Sequence, residues 1–120
     1  MTIALSEFAG NVVLDTVGRM MDGGSIELMS DDRVLAVLQL SNPAAMPASG
    51  GELEFNKILD EDAAIGQGIA TSARVVGRTG IEVFSCDVGD DQSDAAIKLN
   101  TTKIFRGGPV RLTRFSLAMP

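Results

Sequence analysis

The chain has 120 residues, the size of one domain, and its 45% apolar and 22% charged content excludes disorder and allows a modest core. A net charge of −6 works against nucleic acid as a partner, because phosphates attract basic surfaces. With no His, no Trp, no Tyr and a single cysteine, Cys86, an internal disulfide, the usual zinc sites, a Ser-His-Asp triad and a Cys-His dyad are all excluded.

The opening residues have no basic stretch leading into an apolar run, and no apolar run approaches the ~18 residues of a membrane span. The expectation is therefore no signal peptide and no membrane partner. Ser6 has the character of a helix N-cap, with Glu7 at the positive end of the dipole. Phe8, Val12, Val13, Val17, Met20 and Met21 then recur at helical spacing, with Asn11, Asp15, Arg19 and Asp22 on the other side. This predicts an amphipathic helix over about 6–22 that docks its apolar stripe on the domain's own sheet or, alternatively, on a neighbouring subunit. Gly10 and Gly18 weaken the helix but permit close packing, and Gly23-Gly24 ends it.

From Ser25 the apolar period drops to two, which predicts strands. Ser25–Met29 alternates, Asp31-Asp32 is a turn, and the aliphatic run Val34–Leu40 reads as a central strand. Ser41–Gly51, with two prolines and two glycines, is a long irregular connection. Glu52–Ile58 alternates again, and Ile69–Val76 and Ile81–Val88 flank Gly77-Arg78-Thr79-Gly80 as a hairpin. Ala95–Leu99 is a short strand, and a last strand follows Gly107-Gly108-Pro109 as far as Met119. Along it the apolar phase slips from Val110 and Leu112 to Phe115, Leu117 and Met119, which predicts a β-bulge near Thr113-Arg114. The fold class is mainly β: an antiparallel sandwich or barrel of about seven strands over about 25–119, with one N-terminal helix, in a single domain of residues 1–120.

Charge is unevenly spread. Residues 98–120 carry Lys98, Lys103, Arg106, Arg111 and Arg114 and no acid, whereas residues 1–60 are predominantly acidic. Such poles suit contacts between copies, although solvated strand faces explain them equally well. Asp87, Asp90, Asp91 and Asp94 are the one carboxylate cluster with ligand spacing for a hard cation, but the spacing is not that of an EF-hand and a solvated loop is the simpler reading. Gly66-Gln67-Gly68 and Gly77–Gly80 each lead into a strand and not a helix, so neither reads as a phosphate loop. Cys86 has no histidine base and reads as a small buried hydrophobe. No enzyme activity and no cofactor are expected.

The closing segment, LNTTKIFRGGPVRLTRFSLAMP, resembles the C-terminus of a family of small virion structural proteins of tailed bacteriophages and prophages. The family pattern is Leu-Asn, a Thr or Asn step, an apolar residue, a Gly-x-Pro-Val turn, and an alternating strand ending in Met-Pro or Leu-Pro. Leu99, Asn100, Thr101, Thr102, Ile104, Gly107, Pro109, Val110, Phe115, Leu117, Met119 and Pro120 match it. The helix running into Gly23-Gly24 and the Asn42-Pro43 to Ser49-Gly50-Gly51 segment resemble the family as well, whereas the aromatic that it often carries near Ser72–Val76 is missing. The resemblance implies a capsid decoration or cement protein that bridges capsid subunits and stabilises the head. The alternative is a head–tail connector or a tail or fibre-base component, including a receptor-binding module. It further implies the major capsid protein or other virion proteins as partners, a homo-oligomer, and a place in virions assembled in the host cytoplasm. The candidate contact residues are Arg106, Arg111 and Arg114 near the last strand, and Pro43, Met46 and Pro47 in the long connection.

Overall fold

The computed structural model describes residues 3–118; Met119 and Pro120, expected to close the last strand, lie outside the described residues. Helix α1 (Glu7–Met21) is followed by β1 (Ser25–Ser30), β2 (Arg33–Gln39), β3 (Glu52–Glu54), β4 (Gly68–Ile69), β5 (Ser72–Val76), β6 (Glu82–Asp90), β7 (Ile97–Leu99), β8 (Lys103–Ile104) and β9 (Leu112–Ala118). Seven strands form one sheet in the order β2-β1-β5-β6-β7-β9-β3, and β4 and β8 pair separately. The mainly-β class with one N-terminal helix is as expected. The sheet is mixed, because β7 runs parallel to β6 over the three pairs Val88–Ile97, Gly89–Lys98 and Asp90–Leu99. The intervening loop carries the chain back alongside β6 to restart in the same direction, turning on Ser93, whose amide and hydroxyl both donate to the carbonyl of Asp90.

Three bulges explain where simple alternation fails. Leu28 pairs with Ala36 and Met29 with Val34, so Leu35 is an extra residue on β2. Val83 is the extra residue on β6, between the pairs Val75–Phe84 and Val76–Glu82. Thr113 is the extra residue on β9, between Lys98–Arg114 and Leu99–Leu112. Each bulge changes which face the next side chain on its own strand occupies, so the consecutive residues Leu35-Ala36 are both buried and Val83-Phe84 both pack against the core.

The Val34–Leu40 run does not form a central strand. It forms β2, at one end of the sheet order, and is nonetheless buried at Leu35, Ala36, Leu38 and Leu40. The reason lies in the chain after β3, which covers this edge: the amides of Ile65 and Gly66 both donate to the carbonyl of Leu35, and that of Leu59 donates to Gln39. The same segment bridges Glu61 to Val110, just ahead of β9. The two ends of the strand order are thus drawn together by a connection with little regular structure of its own.

The core is aliphatic, with Met21, Ile26, Leu28, Leu35, Leu38, Val75, Ile97 and Leu99 fully buried within one cluster. Each such side chain contributes about 1.5–3 kcal/mol of burial free energy. Phe55 and Phe115 stack in parallel with centroids 4.4 Å apart, and Phe84 leans on Phe115 at 6.2 Å. Among the described residues no polar side chain is fully buried, and the one ion pair is the cross-strand Arg74–Glu27 contact of 2.5 Å.

Candidate interaction surface

Helix α1 begins as the sequence predicts. The Ser6 hydroxyl accepts from the Ala9 amide at 3.1 Å, and at the far end Gly23 takes the left-handed conformation (φ 69°) while the Gly24 amide returns to the Met21 carbonyl at 2.8 Å.

The orientation of the helix departs from the expectation at four of the six apolar positions, with only Met21 buried and Val17 packed against the core as expected. The buried stripe is Gly10, Leu14, Gly18 and Met21. Phe8, Val12, Val13 and Met20, which helical spacing would place on the sheet, are exposed, Phe8 by 77%. Two physical causes act together. The glycines let the helix backbone approach closely: a methyl group at Gly18 would already touch the Leu53 side chain at 3.4 Å. The polar side chains expected to face solvent instead hold the long connection. Asp22 accepts from the Ala44 amide at 2.8 Å, Asp15 from Ala48 at 2.6 Å and Asn11 from Gly51 at 2.9 Å. These acceptors sit on one side of α1 and pin Ser41–Gly51 antiparallel to it, while the connection's other side bridges to β3 at Ser49–Glu52 and to the residue just after it at Ala45–Phe55. Turning Phe8 and Val12 inward would break all three hydrogen bonds.

The outcome is an apolar ridge. Ile3 and Leu5 lie just ahead of the helix, 82% and 50% exposed, and Leu5 has no side chain to staple at the fourth helical position, which is Gly10. Pro43, Met46 and Pro47, all exposed, flank a groove of about 320 Å³ between the connection and α1, floored by Gly18 and Leu53. At the other end of the ridge Met20 meets Ile81, itself 71% exposed, across an open groove of about 510 Å³ that also holds Arg19, Arg78 and Glu82.

The basic residues form a second, separate surface. Arg114 projects from the outer side of β9, Arg111 is exposed just ahead of that strand, and Lys98 of β7 lies directly opposite Arg114. Asn100 donates its amide to the Arg111 carbonyl, which continues the row. Arg106 is also exposed but lies in the tight turn where the Gly108 amide reaches the Phe105 carbonyl, outside the paired strands. The six contact residues expected from the sequence therefore divide among the connection beside α1, the outer row of β9 and this turn.

The four acids of the 87–94 region do not converge. Asp87 accepts from the Ala96 amide at 3.0 Å, Asp90 from the Gln92 amide at 3.0 Å, and Asp91 from the Thr113 hydroxyl, while Asp94 lies beside Lys98 and Arg114. These carboxylates order the β6–β7 turn, and no set of three acidic side chains meets at one point among the described residues. Cys86 is half-buried against the core, and burial, helped by the Asp87 charge, pushes its thiol up to about 11.

Compared with known families, curated proteins and solved structures, the chain matches none.

The sequence contained one signal for the exposed ridge. Gly10, Leu14, Gly18 and Met21 line up at helical spacing on a face distinct from Phe8, Val12 and Met20. A helix with an apolar stripe on each of two faces is made to be covered on both.

Proposed function

We propose that this chain is a structural protein of a tailed-phage virion, acting as a capsid decoration or cement protein. The observation that carries the assembly role is the outward apolar face of α1, a surface that a small domain gains nothing by showing to water. The setting in a virion rests on the resemblance of residues 99–120 to the phage family. The mechanism is physical. Copies seated across joints between capsid subunits add buried area at every joint, and repetition over a symmetric shell makes modest contacts large in total. The row of Lys98, Arg111 and Arg114 is the candidate contact with an acidic shell surface, where charge sets register and orientation.

Quantitative mass spectrometry of purified particles tests this reading. The expected result is a copy number equal to that of the major capsid protein or a fixed fraction of it. A handful of copies per particle replaces it with a neck, tail or fibre-base role, and absence from particles removes the virion setting altogether.

A further inference from the structure

We propose that the outer face of α1 is a self-association surface on which a second copy of this chain lays its own α1, antiparallel, about a two-fold axis near Val12 and Val13. The inference depends on the domain alone and not on the virion reading.

Along the 15-residue helix, Ala9, Val13, Thr16 and Met20 follow one another at steps of four, three and four on the solvent side, the spacing of a seam between paired helices, with Val12 beside Val13. Phe8 and Arg19 stand at opposite ends of that face and on the same flank. In an antiparallel pair, equivalent flanks meet, so a two-fold midway between them sets Phe8 of each copy against Arg19 of the other. The Arg19 guanidinium lies along the face, donating to the Thr16 hydroxyl at 3.2 Å, in position to cover an aromatic ring. The same axis leaves Met20 two residues, about 3 Å along the helix, from the small Ala9 of the second copy, within reach of its flexible side chain. Arg19 is the one charge on this face, so the two-fold brings no like charges together at its centre.

The size of the face also fits. Ile3, Leu5, Phe8, Val12, Val13 and Met20 expose on the order of 700 Å² between them, close to the ~800 Å² per partner of a standard stable interface. A lipid surface is a poorer occupant. Interfacial helices line their polar face with Lys and Arg, whereas α1 has Asp15 and Asp22 there and a single Arg19.

Sedimentation equilibrium of the purified chain is the test. The wild type is expected at twice its 12.6 kDa mass at micromolar concentration. Val12→Glu with Val13→Glu, both at exposed positions, is expected to keep its circular dichroism spectrum and thermal midpoint and to weaken association at least ~100-fold, because four carboxylates then crowd one seam. Phe8→Ala is the milder variant, with a loss of ~10-fold. In a Cys86→Ser background, copper–phenanthroline oxidation is expected to cross-link Val13→Cys to itself and to leave Phe8→Cys uncoupled. A wild type that stays monomeric at several hundred micromolar overturns the proposal, as does association that survives the double variant. Cross-linking at Phe8→Cys overturns the antiparallel arrangement.

Discussion

Helix α1 and strand β9 both carry more apolar side chains than one regular face can bury, and they handle the excess differently. In β9 the extra residue Thr113 absorbs it. Leu112 opposite Leu99 and Phe115 opposite Ile97 both pack on the core, while Arg111 and Arg114 stay on the outside. The Thr113 hydroxyl closes the bulge by sharing its one proton between the Asp91 carboxylate and the Lys98 carbonyl, the latter 3.1 Å away. In α1 nothing is absorbed: the helix commits a stripe built on two glycines to the core and leaves Phe8, Val12, Val13 and Met20 outside. A strand residue has two directions to choose between, and its ladder partner decides which one it takes. A helix can rotate about its axis, and the face that wins is the one that brings the backbone closest while satisfying the polar groups alongside.

The sharpest way to break this contrast is to truncate one side chain on each face of α1. Leu14→Ala is expected to cost about 3 kcal/mol, the transfer term plus a cavity against β3. Phe8→Ala, although it removes the larger side chain, is expected to leave monomer stability within about 0.5 kcal/mol, as surface substitutions do. Urea denaturation at a concentration low enough to keep the chain monomeric measures both. A larger loss for Phe8→Ala would mean that the helix buries the face its hydrophobic spacing suggests.

The strand side of the contrast is tested by deleting Thr113. Without the extra residue, either Leu112 or Phe115 must turn outward, and one half-buried apolar side chain lost from the core is worth about 2 kcal/mol. Thr113→Ala keeps the residue count and removes only an exposed hydrogen bond, so its cost should stay below about 1 kcal/mol. Equal losses for the two variants would show that the hydroxyl, and not the register, holds β9 in place.

The same contrast accounts for what was legible in the amino-acid order. Ser6, Gly23, the Gly77–Gly80 hairpin and the slip at Thr113 are local signals, each read within a few residues of chain, and each is found where it was expected. The edge position of β2 and the rotation of α1 depend on remote partners. The first needs the amides of residues 59–66, and the second needs those of Ala44, Ala48 and Gly51. Asp15 gives no sign in the sequence that it faces a backbone amide 33 residues later and not water. The candidate surfaces follow suit. Arg111 and Arg114 were identifiable because strand alternation places them outside, whereas the ridge on α1 was hidden by the assumption that the bulkiest stripe is the buried one.

Cys86 offers a final and smaller test of how firmly the strands are committed. It sits on β6 between Phe84 and Val88, opposite Ala73, with Ser85 and Asp87 turned to solvent. Burial in that row favours the uncharged thiol and moves its pKa from an ordinary 9.0 to about 11, the Asp87 carboxylate adding to the shift. At pH 8 the thiolate fraction is then ~100-fold smaller than in the unfolded chain, so alkylation by iodoacetamide should be slower in the native state by about that factor. The sign of the stability effect follows from the same shift. The folded state keeps its proton to higher pH than the unfolded state, so Cys86 does not alter stability below pH 9 and lowers it as pH rises from 9 through 11. A Cys86→Ser variant should lose that part of the alkaline slope. A native thiol that titrates near 9 would place Cys86 in water, and the inner row of β6 would then be as loosely held as the outer face of α1.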